Sequence, residues 1–167
     1  MRKQKNFYQK IKYSLLGMKK EDQRLIKSGR YKEAKTTIQK HTKELKKIIK
    51  QIDWPNVSKV GRKASRAAWL FAQHSVHDPK FQKRCLTLMK KEKTDEVEIK
   101  DVAYLDDRVR VQDGRRQVYG TQFYTSRDKK IKPRPIFKIK ELDIRRQAVN
   151  LPPFEDYRKQ MEKLYNQ

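Results

Sequence analysis

The chain has 167 residues with 44 Lys and Arg against 20 Asp and Glu, a formal charge of +24, and 35 % hydrophobic and 10 % aromatic residues. That apolar content suffices for one domain with an economical core and excludes wholesale disorder. The lone Cys85 excludes an internal disulfide and a thiolate zinc site, and no apolar run approaches a membrane span or a signal-peptide core, so a cytosolic protein without membrane attachment is expected.

Taken in chain order, Phe7, Ile11, Leu15 and Met18 form a narrow apolar stripe at helical spacing within a lysine-rich segment. Residues 1–20 read as a basic helical extension of a single domain spanning 1–167. The stripe resumes with Tyr31, Ala34, Ile38, His41, Leu45, Ile48, Ile49 and Ile52, after a turn expected at Ser28-Gly29. Trp54-Pro55 ends this second helix, because proline disfavours helical geometry in the residue before it. Ser58 is the expected N-cap of a third helix whose inner stripe is Val60, Gly61, Ala64, Ala67, Ala68, Phe71 and Ala72. Such small side chains suit a central helix. Asp78 followed by Pro79 reads as the cap and first position of a fourth, with Phe81, Cys85, Leu88 and Met89 inward.

After residue 94 the apolar period changes to two. "RVRVQDGRRQVYGTQFYT" predicts a β-hairpin over about residues 104–125, closed by a two-residue turn at Asp113-Gly114. In that register Val109 faces Val118 on one side, while Arg108, Arg110, Gln117, Tyr119 and Thr121 share the other. "PRPIFKI" adds an edge-like segment, Asp143 is expected to cap a short helix through Val149, and a last helix follows Pro152 or Pro153 with Phe154, Tyr157, Met161 and Leu164 inward. The fold class is α+β, mostly helical, with the hairpin packed on a helical core.

"DQ" at 22–23, "WP" at 54–55, "VG" at 60–61, "QHSVHDPKFQ" at 73–82, "DDRV" at 106–109 and "QVYGTQFY" at 117–124 together resemble a widespread family of uncharacterised bacterial and viral proteins. "RPI" at 134–136 and "RR" ahead of "LPP" extend the likeness over roughly residues 15 to 160. The resemblance implies a mostly helical fold with a small hairpin insertion, and it brings no established activity with it.

His74 shares a helix side with Ala67, Leu70 and Phe71, which fits either a histidine hydrogen-bonded at the core edge or a general acid or base. Metal binding by His74 and His77 would need a further ligand, and Asp78 is better placed as a cap, so no metal site and no cofactor is expected. His41, inside an apolar stripe, reads as structural. In the second half, Arg108 and Arg110 with Gln117, Thr121 and Gln122 have the groups to grip a phosphate or a base edge, or to pin the hairpin as a polar network. Gly120 in a strand needs a bulge or a close neighbour, and Trp54 with Asp78 and Pro79 is structural. Asp107 with Arg108 could form an internal ion pair.

Residues 1–50 hold 17 Lys and Arg against four acidic residues, a balance that draws a protein toward polyanions. The expected function is therefore nucleic-acid- or nucleotide-directed. Its enzymatic version is metal-independent phosphodiester cleavage, with His74 as acid or base, Tyr119 assisting, Gln73 beside them and the arginines holding phosphate. The alternatives are a non-enzymatic inhibitor docking on an acidic protein, as in viral counter-defence, and an antibacterial effector domain. The enzymatic version requires His74, Arg108, Tyr119 and Gln122 to line one cleft.

Overall fold

The computed structural model describes residues 2–165, except the side chains of residues 2, 31, 32 and 34; the expected inward positions Tyr31 and Ala34 lie outside that description. Eight α-helices and one two-stranded antiparallel sheet occur among the described residues. They group into two compact units, residues 1–98 and 99–167. No helix among the described residues is long and apolar enough to cross a membrane.

The first unit is entirely helical. Helix α1, Arg2–Lys27, buries Ile11, Leu15, Met18 and Leu25, so it belongs to the packing of this unit along most of its length. Gly29, at φ +68°, ends it: Arg30 N–H donates to Leu25 O and Gly29 N–H to Ile26 O, the paired bonds of a left-handed helix terminus. Helix α2, Tyr31–Ile52, then folds back with Leu45, Ile48, Ile49 and Ile52 inward. Trp54 is fully buried behind its end, and the Lys59 ammonium donates to the Ile52 and Trp54 carbonyls at 2.7 and 3.0 Å.

The expected third helix is two helices. Asn56, not Ser58, caps the four-residue α3, Val57–Val60, by accepting from Lys59 N–H at 3.1 Å. Gly61, at φ +80°, breaks the chain before α4, Arg62–His74. Ser58 sits inside α3 and binds Glu96 instead. Ala64, Ala67, Ala68, Phe71 and Ala72 of α4 are all buried, and this helix packs on α1, α2, α3 and α5. Helix α5 is Pro79–Lys91; burial pushes its Cys85 thiol up to about 12, which leaves that thiol inert.

The second unit departs most from expectation. Residues Ile99–Gln112 form helix α6, so the hairpin over 104–125 and the Val109–Val118 pairing do not occur. Asp113-Gly114 is a helix terminus: Arg115 N–H donates to Arg110 O and Gly114 N–H to Val111 O, with Gly114 at φ +70°. A type I′ turn and a left-handed helix end both demand positive φ at that glycine, so the dipeptide alone does not separate them. A hairpin is present further on, pairing β1, Phe123–Thr125, with β2, Ile131–Pro133, in the register Tyr124 opposite Lys132. Gln117 bridges to Ile136 beside it. A short 3-10 turn, Ile139–Glu141, leads into α7, Leu142–Ala148, and then α8, Phe154–Tyr165. Asp143 does not cap its own helix; its carboxylate accepts from Phe154 N–H at 2.7 Å and so caps α8. Leu164, expected inward, is exposed.

Candidate functional site

The "QHSVHDPKFQ" stretch is a helix-to-helix junction built from side-chain caps. At the end of α4, Gln82 reaches back from α5 and donates to the Ala72 and Gln73 carbonyls at 2.7 and 2.9 Å. Ser75 donates to Phe71 O and meets the Thr42 hydroxyl at 2.8 Å. Asp78 caps α5 by accepting from Phe81 N–H at 3.0 Å, and Pro79 fills the first helical position. The Lys46 ammonium binds the other carboxylate oxygen of Asp78 at 2.5 Å and is the main reason this carboxyl lies below its usual range. A lowered folded-state pKa means stability present above the unfolded value and lost as pH falls through the folded one. Asp78→Ala should therefore cost about 1 kcal/mol at neutral pH in urea unfolding, and the gap from wild type should narrow as pH falls below the ordinary aspartate value of about 3.9. A variant as stable as wild type that lost function would instead place Asp78 in a site.

His74 leaves this junction for a different partner. A third of its side chain is exposed, but its Nδ1 is buried and lies 3.8 Å from the Asp22 carboxylate, itself only 3 % exposed. Next to Asp22, Glu21 faces the buried His41 at 3.2 Å, and that contact is the main cause holding the Glu21 carboxyl down. Two adjacent acids of α1 thus serve two histidines, one on α2 and one at the end of α4. The His74–Asp22 pair sets a buried carboxylate 3.8 Å from one ring nitrogen, within ion-pair range but beyond a direct hydrogen bond, while part of the ring meets solvent. His77 is exposed. Among the described residues no three His, Cys, Asp or Glu side chains gather as a metal site requires.

In the second unit, Asp107 and Arg146 organise the "VYGT" loop. Asp107, fully buried, accepts from the N–H groups of Val118, Tyr119 and Thr121 and from the Thr121 hydroxyl, at 2.6 to 3.2 Å. Burial pushes its carboxyl up while these donors pull against it. Its partners are backbone donors and a hydroxyl, so in place of the ion pair with Arg108 that the sequence left open there is a loop clasp. The carbonyls of the same loop go to arginines of α7: Arg145 Nε donates to Val118 O at 2.9 Å, and fully buried Arg146 donates to Tyr119 O at 2.5 Å and Pro152 O at 2.7 Å. Irregular backbone can be buried only when its polar groups are paired, and these three side chains pair them.

Of the remaining expected positions, Gln117, Tyr119, Gly120, Thr121 and Gln122 fall in or beside the same loop, whereas Arg108 and Arg110 lie on α6 and Gln73 on α4. Gln117, fully buried, donates to Gln122 O and Arg134 O and accepts from Gln122 N–H, so its amide is committed to backbone, and Thr121 is committed to Asp107. Gln122 donates to the Thr121 hydroxyl at 3.0 Å. Gly120 adopts φ +67°, and a Cβ there would stand 2.8 Å from the Phe154 ring. The Tyr119 ring packs on Ala103, Val149 and Leu151, and burial raises its phenol pKa, so it stays protonated and can donate but not act as a base. Arg110 pairs with Asp106 at 3.4 Å, one helical turn away. Arg108 is part-buried on α6, where burial disfavours its charge. Gln73 is buried at the end of α4, in the first unit with His74.

Three residues not expected as site residues prove central: Asp22 and Arg146, and Asp107, for which the sequence left open only an ion pair with Arg108. Each lies within a short motif noted in the sequence ("DQ", "DDRV", "RR"), yet nothing in hydrophobic spacing marks a buried charge.

The chain belongs to a family of unknown function (DUF6624), whose model matches residues 32–167. The match starts later than the sequence likeness suggested, so α1 and its Asp22-Gln23 pair precede it. No curated protein and no solved structure matches this chain.

Proposed function

We propose that this protein is a nucleic-acid-directed binding protein acting through the first unit. The observation carrying this reading is the charge of that unit: residues 1–98 hold 27 Lys and Arg against ten acidic residues. On α1 and α2, Lys3, Lys5, Lys10, Lys20, Lys43 and Lys50 are exposed, and the apolar sides of the two helices turn inward. Phosphate neutralisation by such a surface releases counterions, so affinity falls steeply with salt and depends little on sequence. The full-length protein should bind mixed-sequence RNA or DNA at low ionic strength in a mobility-shift titration, and lose it as salt rises. Absence of a shift with either polymer at low salt would favour an acidic protein as the partner.

A second reading, phosphodiester cleavage, is favoured by the His74–Asp22 arrangement, in which a buried carboxylate faces the inner nitrogen of a partly exposed imidazole. In that reading His74 moves the proton and Asp22 holds the ring. His74→Ala should abolish cleavage of a labelled strand while leaving its salt-dependent binding unchanged, since lysines supply the latter. Retained cleavage in that variant would remove His74 as the acid or base, and no cleavage by the wild-type protein would remove the enzymatic reading.

A further inference from the structure

The first unit carries a groove of about 780 Å³ between the start of α1 and α3. One wall is a single face of α1, Gln4, Lys5, Tyr8, Gln9 and Lys12, recurring at helical spacing; the other is the segment 57–61. Three of the lining residues are lysines and none is acidic. The carboxylate bonded to this segment, Glu96, is occupied by Ser58 through both its N–H and its hydroxyl. Val57 and Val60 give the groove apolar surface, and Gly61 leaves open space where a side chain would begin.

Aromatic rings accompany the cations along this helix. Tyr8 lines the groove, with the Phe7 ring 6.1 Å from its own, and Phe7 and Tyr13 are 40 % and 63 % exposed. Rings left in water among lysines are of no use to a duplex, whose bases are already stacked. They suit a strand whose bases are free, where stacking on aromatics combines with cationic contacts to phosphate. Glutamines such as Gln4 and Gln9 can add hydrogen bonds to base edges.

From this we infer that the α1–α3 groove is a subsite for single-stranded nucleic acid, with a base against Tyr8 and phosphates at Lys5 and Lys12. This rests on the nucleic-acid reading above and adds the form of the polymer and its place on the fold. The test compares labelled single strands of about 12 nucleotides, oligo-dT and oligo-U, with a duplex of equal length at one salt concentration, by fluorescence anisotropy with the full-length protein. Single strands should bind about tenfold more tightly than duplex; Tyr8→Ala should erase that preference and leave duplex binding as it was, and Tyr8→Trp should keep it. A 5-bromouracil strand should crosslink to the peptide spanning residues 4–12, a readout that needs no variant to fold. Equal binding of both forms, or a crosslink confined to residues 99–167, would overturn the groove assignment and leave the general nucleic-acid reading standing. Failure of every polymer to bind would remove both.

Discussion

Asp107→Ala should destabilise the protein by about 3–5 kcal/mol in urea unfolding. Three backbone N–H groups and the Thr121 hydroxyl converge on this one fully buried carboxylate. Removing it strands several buried donors, each costing about 1–3 kcal/mol, with partial relaxation keeping the total below their sum. Asp107→Asn should recover little, because the amide NH₂ would face donors. A loss under 1 kcal/mol for the alanine variant would mean that the loop finds other partners, and the clasp described for 118–121 would be wrong.

Gly120→Ala comes next, at about 2–4 kcal/mol, from two separate causes. The residue sits at φ +67°, where a Cβ is strained, and that Cβ would lie 2.8 and 2.9 Å from two atoms of the Phe154 ring and 3.3 Å from Ile136. Gly114 supplies the control, since its φ is +70° but an added Cβ meets nothing within 4 Å. Gly114→Ala should therefore cost only the backbone component, about 1 kcal/mol. Equal losses at the two positions would show that the contact with Phe154 contributes nothing.

The helices of the first unit could be read from the chain because their inward faces are conventional. Leu15, Leu45, Ile49 and the alanines of α4 recur at helical spacing, and Ser28-Gly29 and Asp78-Pro79 punctuate them where the termini fall. The break at Gly61 was hidden because "VG" continues the small-residue stripe on both sides. Helix α6 was hidden for another reason: its buried face includes Asp101, Asp106 and Asp107 beside Ala103, Leu105 and Val109. Acids on an inward face erase the apolar period, and the "RVRV" alternation is then the stronger local pattern. The polar signature of residues 117–122 was visible as unusual, but its purpose depends on Asp107 and on two arginines of α7, distant in sequence. His74 was visible as a candidate; the buried acid facing it, Asp22, lies on α1, some fifty positions earlier.

The claim that the first unit carries the nucleic-acid contacts is tested most directly by the salt dependence of binding in paired lysine variants. The logarithm of the binding constant for a single strand should fall linearly with the logarithm of salt concentration, by about 0.7 for each phosphate contacted. Lys5→Ala with Lys12→Ala, on the α1 face, should flatten that slope by about 1.4. Lys138→Ala with Lys140→Ala, which removes the same charge from the second unit, should leave it unchanged. A slope insensitive to the α1 pair, or one that flattens with the second-unit pair instead, would contradict the account.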